Sequence, residues 1–296
     1  MPPIPNDADF CVEIEFKKGS ENPSRVFRAM SEIIETFQII DKELVQSVDV
    51  KIEPVLMLED IETGSLRAWL RAILIAVDDD ALKNIDWRPA VGKYLVKAKY
   101  ILIDFVGHNT TVSDRHQLSE LGTRLLAASQ ETDVRKIPTY ALLPQKEIAR
   151  SLQLLGGAAA LLGEGDSAKY IAGEDEASFN LNFAFSPDAI EDLLTRETIE
   201  NEQTMILKVK KPDYLGDSMW DFRFESRTIQ AKVSDVAWLQ EFQARQVEVR
   251  PGDAIRANVR LSVRYGYDGE VVATHYYLLK VLQVIPMQAS AQNTLF

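Results

Sequence analysis

The sequence predicts an α+β fold: a helix-dominated N-terminal domain with a small sheet, followed by a C-terminal antiparallel β-sheet or partly open barrel carrying one helix. Three observations carry this. Apolar residues recur at helical spacing through most of the first two hundred positions, they alternate with polar residues from Trp220 onward, and the stretch between is rich in acidic residues and glycine. With 296 residues, 46% hydrophobic and 26% charged, the chain is long enough for about two cores and too apolar for a disordered one.

The elements follow in order. Phe10, Val12, Ile14 and Phe16 alternate with Cys11, Glu13, Glu15 and Lys17, the period of a half-buried strand. Asn22 before Pro23 reads as a helix start, with Asn22 as the cap. Val26, Phe27, Met30, Ile33, Ile34, Phe37, Ile40 and Leu44 then mark an apolar helix face. A second strand is expected over 50–58. Gly64-Ser65 reads as turn and cap for an apolar-faced helix through Leu66, Trp69, Leu70, Ile73, Leu74 and Val77. Helices are expected over 90–106, 114–129 (capped by Ser113), 145–162 and 187–202.

The last third changes period. Trp220, Phe222 and Phe224, then Ile229, Ala231 and Val233, alternate with polar residues on either side of Ser226-Arg227, the pattern of a hairpin. A helix from about Asp235 to Arg245 follows, with Ser234 as its cap and Val236, Leu239 and Phe242 facing inward. Pro251-Gly252-Asp253 turns the chain into a strand through Ile255 and Val263. Asp268-Gly269 turns it again into a strand over 271–284. The expected domains are 1–163, an acidic linker with a short helix at 164–203, a β-rich module at 204–285, and a loose tail at 286–296.

The chain carries 33 Lys+Arg against 45 Asp+Glu, a net charge of −12. Residues 164–202 hold 2 basic and 11 acidic side chains, whereas 204–285 hold 12 basic and 10 acidic. A partner of negative charge is therefore expected at the C-terminal module or nowhere. The single cysteine, Cys11, excludes an intramolecular disulfide and a Cys-based metal site, and suits a reducing compartment. The segment MPPIPNDADF lacks the basic and apolar regions of a secretory signal, and apolar runs stay well short of the roughly 20 residues of a spanning helix. A cytoplasmic protein away from the membrane is expected.

Two constellations could carry chemistry. Asp213, after Pro212, with Gln230 and Lys232 forms a degenerate version of the PD-(D/E)xK pattern, in which carboxylates hold a divalent metal and a lysine attends the attacking water. Gln230 replaces the second carboxylate, leaving Asp221 or Glu225 to complete the site; as plain structure, Asp213 begins a turn and Gln230 and Lys232 lie on a solvated face. Arg256, Arg260 and Arg264 share one face of one strand, with His275, Tyr276 and Tyr277 on the next. That row suits an anion or an acidic partner, or pairing with Glu270 or Glu248. Asp78-Asp79-Asp80 lacks the spacing of a calcium loop and reads as helix capping. His108, His116 and His275 have no metal-ligand spacing, and no nucleophile elbow or phosphate loop is present. No metal site and no cofactor is expected.

The segments NPSRVFRAMSEIIETF, EPVLMLEDIETGSLRAWLR, KPDYLGDSMWDFRF and RPGDAIRANVRLSVRYGYDGEV resemble an uncharacterised bacterial family, some of whose members are associated with mobile elements or phage defence. The resemblance covers most of the chain and implies a context, with no activity or site residues. The expected function is a non-enzymatic binding or assembly subunit of a bacterial cytoplasmic system, with a protein partner or homo-oligomer and nucleic acid at the C-terminal module. The alternative is a metal-dependent nucleic-acid-processing enzyme using Asp213, Gln230 and Lys232.

Overall fold

The structure, a computed structural model, describes residues 9–17, 22–62, 66–76, 87–137, 139–216 and 218–287. The chain divides after Leu193 into two compact units. The first contains β1 (Phe10–Glu15), α1 (Ser24–Val48), β2 (Ile52–Glu62), β3 (Leu66–Ala76), α2 (Trp87–His108), α3 (Arg115–Glu131), α4 (Gln145–Ala159), β4 (Ser167–Ala172) and β5 (Asp175–Ser178), and α5 (Pro187–Leu194) runs to its end. Its sheet is antiparallel, in the order β2-β3-β1-β4-β5.

β1 lies at the centre of that sheet, and this overrides its alternation. Cys11 and Glu13, expected on an open face, are buried along with Phe10, Val12 and Ile14. Glu13 accepts a 2.7 Å hydrogen bond from Arg67 Nε. Burial pushes the Cys11 thiol up to about 12, which leaves it an inert core side chain. On the helical side Phe10, Phe37 of α1 and Tyr170 of β4 form an aromatic triad with centroids 5.1–5.7 Å apart. Lys99 of α2 sits over the Phe10 ring and pairs with Asp41 of α1, both side chains fully enclosed.

Several expectations are corrected. Residues 66–76 are strand rather than helix, because Leu66, Ala68, Leu70 and Leu74 also satisfy a period of two and find partners on both sides, β2 and β1. The segment 164–203 is more than a linker, since it supplies β4 and β5 to the sheet and α5, and then enters a long strand at Thr195. The helix expected over 187–202 accordingly stops at Leu194. Pro23 rather than Asn22 occupies the cap of α1, and Phe27 is exposed. Asp114 rather than Ser113 caps α3, closing a capping box with Gln117. Ser65, the Asp78–Asp80 run and the tail from residue 288 lie outside the described residues.

Two contacts give testable consequences. Gly107 of α2 packs so close to β5 that a Cβ would lie 2.3 Å from the Ser178 carbonyl oxygen. Backbone cannot yield as a side chain can, so Gly107→Ala costs about 2 kcal/mol; an unchanged urea midpoint would contradict this contact. Between α1 and α4, Glu43 faces Glu147, Arg150 and Ser151, and burial followed by repulsion from Glu147 raises its carboxyl from 4.5 to about 7. The folded protein therefore holds a proton that the unfolded chain releases. Stability from this group is complete below about pH 4.5 and is lost as pH rises through about 7. Glu43→Gln raises stability at pH 8 by about 1 kcal/mol after allowance for solvent screening, with little effect at pH 4. Equal effects at both pH values would refute the assignment.

The second unit contains β6 (Thr195–Lys211), β7 (Trp220–Phe224), β8 (Arg227–Val233), α6 (Val236–Gln243), β9 (Ala254–Gly266) and β10 (Val271–Ile285). Its strands close into a barrel in the order β10-β8-β7-β6-β9. β6, β7 and β8 form a meander and β9 returns beside β6, a Greek key. β10 closes the gap, antiparallel to β9 and parallel to β8. Leu207, Val209, Trp220, Phe222, Ala231, Val233, Ile255, Ala257, Val259 and Leu278 fill the interior. α6 adds Trp238, Leu239 and Phe242; Val236, expected inside, is exposed. Asp235 rather than Ser234 caps this helix, and its carboxylate also accepts from the Val281 backbone N–H at 3.0 Å, tying α6 to β10.

Candidate functional site

The outer surface of the barrel is set by strand parity. Because Leu207 and Val209 point inward on β6, Ile206 and Lys208 point outward; because Trp220 and Phe222 are buried on β7, Asp221 and Arg223 are outside. The register places Lys208 directly opposite Arg223. Arg256 of β9, paired with Ile206, lies diagonally across from Lys208. A bulge between Val209 and Lys211 leaves Lys210 and Lys211 both exposed at the end of β6. Among the described residues, none of Lys208, Lys210, Lys211, Arg223 and Arg256 is in an ion pair. Asp221, opposite Lys211, accepts a 3.0 Å hydrogen bond from Gln230.

Like charges directly opposite on neighbouring strands are destabilising. Lys208 and Arg223 therefore oppose the barrel's stability, in a unit whose 13 basic and 13 acidic side chains from residue 194 onward could have been interleaved. They are instead segregated. Glu197, Glu200 and Glu202 cluster on β6 toward Thr195, and the cations gather at its other end.

That segregation divides the arginine row. Arg256, Arg260 and Arg264 share one face, as their spacing indicated. Arg260, however, lies 3.6 Å from Glu200 and its guanidinium covers the Tyr277 ring at 5.0 Å, and Arg264 is also engaged. Glu248, one of the two partners the sequence suggested, bonds Arg250 instead, at 2.7 Å. Tyr277 and His275 lie on the outer face, whereas Tyr276 packs toward the core. Of the three arginines only Arg256 joins the open cationic group. Lys208, Lys210, Lys211 and Arg223 were missed; the alternation in Leu207-Lys208-Val209 was the available signal, and the pairing with Arg223 was not.

Asp213 has a different role from a metal ligand in this arrangement. Its carboxylate accepts from the backbone N–H groups of Leu215 (3.0 Å), Gly216 (3.1 Å) and Ser218 (3.0 Å) and from the Ser218 hydroxyl (2.6 Å). The Ser218 hydroxyl and then these N–H donors hold it well below the usual carboxylate range. It thereby ties Leu215, Gly216 and Ser218 to the end of β6. Gln230 is spent on Asp221, and Lys232 points outward from β8 and is also engaged. Among the described residues no three His, Cys, Asp or Glu side chains come together as metal ligands. Nor is any helix among them long and apolar enough to cross a membrane.

A cleft of about 540 Å³ is lined by Tyr214, Leu215, Phe242, Arg245, Val247 and Arg250 among others. In the first unit a cleft of about 430 Å³ brings Lys93 and Lys97 together with Asp9 and Asp175, two charges of each sign. His108 is exposed at the end of α2, beside Asp104, which also holds Arg124 at 2.7 Å.

No family model matches the chain, and neither a curated protein nor a solved structure matches it.

Proposed function

We propose that this chain is a non-enzymatic binding subunit of a bacterial cytoplasmic system, and that its C-terminal barrel holds a single-stranded nucleic acid on the outer face of β6, β7 and β9. One observation carries the reading: Lys208 and Arg223 face each other outside any ion pair among the described residues, Arg223 Nε donating only to the Glu225 carbonyl at 3.4 Å, and are flanked by Arg256, Lys210 and Lys211. A cost in stability kept at one place marks a functional surface. A line of phosphates removes that cost by standing between the cations.

Two considerations support a single strand over other polyanions. Five cations, three at one end of β6 and one each on β7 and β9, engage only a few phosphates, and the chain's net charge of −12 disfavours the higher charge density of a duplex. Small five-stranded Greek-key barrels also bind oligonucleotides across their second and third strands, of which the second, β7 here, belongs to the cationic face. That likeness is one of architecture and supports the reading without carrying it.

The test is fluorescence anisotropy of a labelled single-stranded 15-mer with the full chain across a salt series. Binding at low salt is expected, with a log–log slope of about −3, from about 0.7 per phosphate neutralised over four or five contacts. A flat salt response, or tighter binding of an acidic peptide than of the strand, would make this face a protein-docking surface instead.

A further inference from the structure

We infer that the cleft lined by Tyr214, Leu215 and Phe242 receives one unstacked base of the strand held on the cationic face. This rests on the reading above and adds a second, chemically different contact to it. The cleft volume of about 540 Å³ is within the range of small-molecule sites and ample for a single base.

Its walls are suited to a flat aromatic ligand. Tyr214 is 52% exposed, yet its ring is supported: it lies tilted on Phe242 at 5.1 Å, and its hydroxyl donates to the Val249 carbonyl at 3.3 Å. Phe242 rests in turn on Trp220 and Trp238, at 4.9 and 5.8 Å. A ring held in place and half open to solvent is a preformed stacking platform, and such platforms accept any base because every base has a π-face. Leu215, at 97% exposed, adds an apolar wall. The loop that presents both residues is fixed by the four hydrogen bonds to Asp213 and by Gln243, which donates to the Gly216 carbonyl at 2.6 Å.

Charge and chain continuity place the cleft on the strand's path. Arg245, at the end of α6, is exposed, has a left-handed backbone (φ 58°) and is outside any ion pair among the described residues. Its planar guanidinium can hydrogen-bond a base edge or a phosphate. Tyr214 follows Lys211 by three residues, a reach of about 10 Å at most. A strand whose phosphates lie along Lys208, Lys210 and Lys211 therefore arrives at Tyr214. Glu248, the acidic group of the lining, is already bonded by Arg250 at 2.7 Å.

The experiment uses the full chain with two 8-mers, one intact and one carrying a single abasic site scanned along its length. An abasic site at one position, and not at the others, is expected to weaken binding about tenfold, and Tyr214→Ala to weaken the intact strand equally with no further loss for the abasic one. Tyr214→Phe, which keeps the ring, is expected to bind within twofold of wild type. Position-independent abasic effects, or an unchanged affinity for Tyr214→Ala, would overturn the inference while strand binding by wild type preserves the reading it rests on. If Tyr214→Ala fails to fold, the abasic scan on wild type decides alone. No strand binding by wild type would overturn both.

Discussion

Replacing Lys208 and Arg223 together by glutamate is expected to abolish binding of a single strand, by at least 100-fold at low salt, while the barrel stays folded. The substitution reverses two charges at the centre of the cationic face, so phosphates meet repulsion where they met attraction. A milder variant separates function from stability more sharply. Lys208→Thr removes one member of a like-charged cross-strand pair and suits a strand position. It is expected to raise stability by a few tenths of a kcal/mol and to reduce the salt slope by about one. Gain in one property with loss in the other is what a site maintained against stability requires. Calorimetry and the salt series on the same preparation measure both; a variant that loses stability and keeps its slope would show the pair to be structural.

The second large effect is expected far from that face. Lys99 and Asp41 form an ion pair with 0% and 2% of their side chains exposed, and one carboxylate oxygen of Asp41 lacks any hydrogen-bond partner. Burial pushes the Asp41 carboxyl above its ordinary value, against the pull of Lys99. Asp41→Ala strands the buried lysine ammonium over the Phe10 ring, and is expected to cost about 3–5 kcal/mol. Asp41→Leu with Lys99→Met removes both charges and is expected to be neutral or mildly stabilising. Urea unfolding of the single and double variants checks this. A double variant as unstable as the single one would mean that the pair contributes more than its mutual compensation.

The strongest periodic signals in the sequence became the observed elements. The face of α1 through Ile33, Phe37, Ile40 and Leu44 is buried as its spacing implies, and the Trp220-Phe222 alternation is the barrel core. Failures occurred where local pattern is silent about partners. Residues 66–76 fit helix and strand alike, and only β1 and β2 on either side decide. Residues 195–204, rich in good helix formers, are exposed on both faces and so show no strand alternation, but β9 pairs with them almost throughout.

The candidate site was half legible for the same reason. The arginine row was visible because it lies within one strand, with a period of two. The Lys208–Arg223 opposition exists only through the β6–β7 register, and the neutralisation of Arg260 only because Glu200 approaches from β6. Asp213 illustrates the converse. Its Pro-Asp setting resembled the start of a metal-binding pattern, whereas the chemistry it performs is closed within five residues by Leu215, Gly216 and Ser218.

The most direct test of the binding face is lysine acetylation footprinting of the full chain with and without a single-stranded 15-mer, read by mass spectrometry. Lys208, Lys210 and Lys211 are expected to be protected by the strand, and Lys136, Lys146 and Lys169 to react unchanged. Protection confined to the first unit, or reactivity of Lys208, Lys210 and Lys211 unaltered under saturating strand, would contradict the assignment of this face.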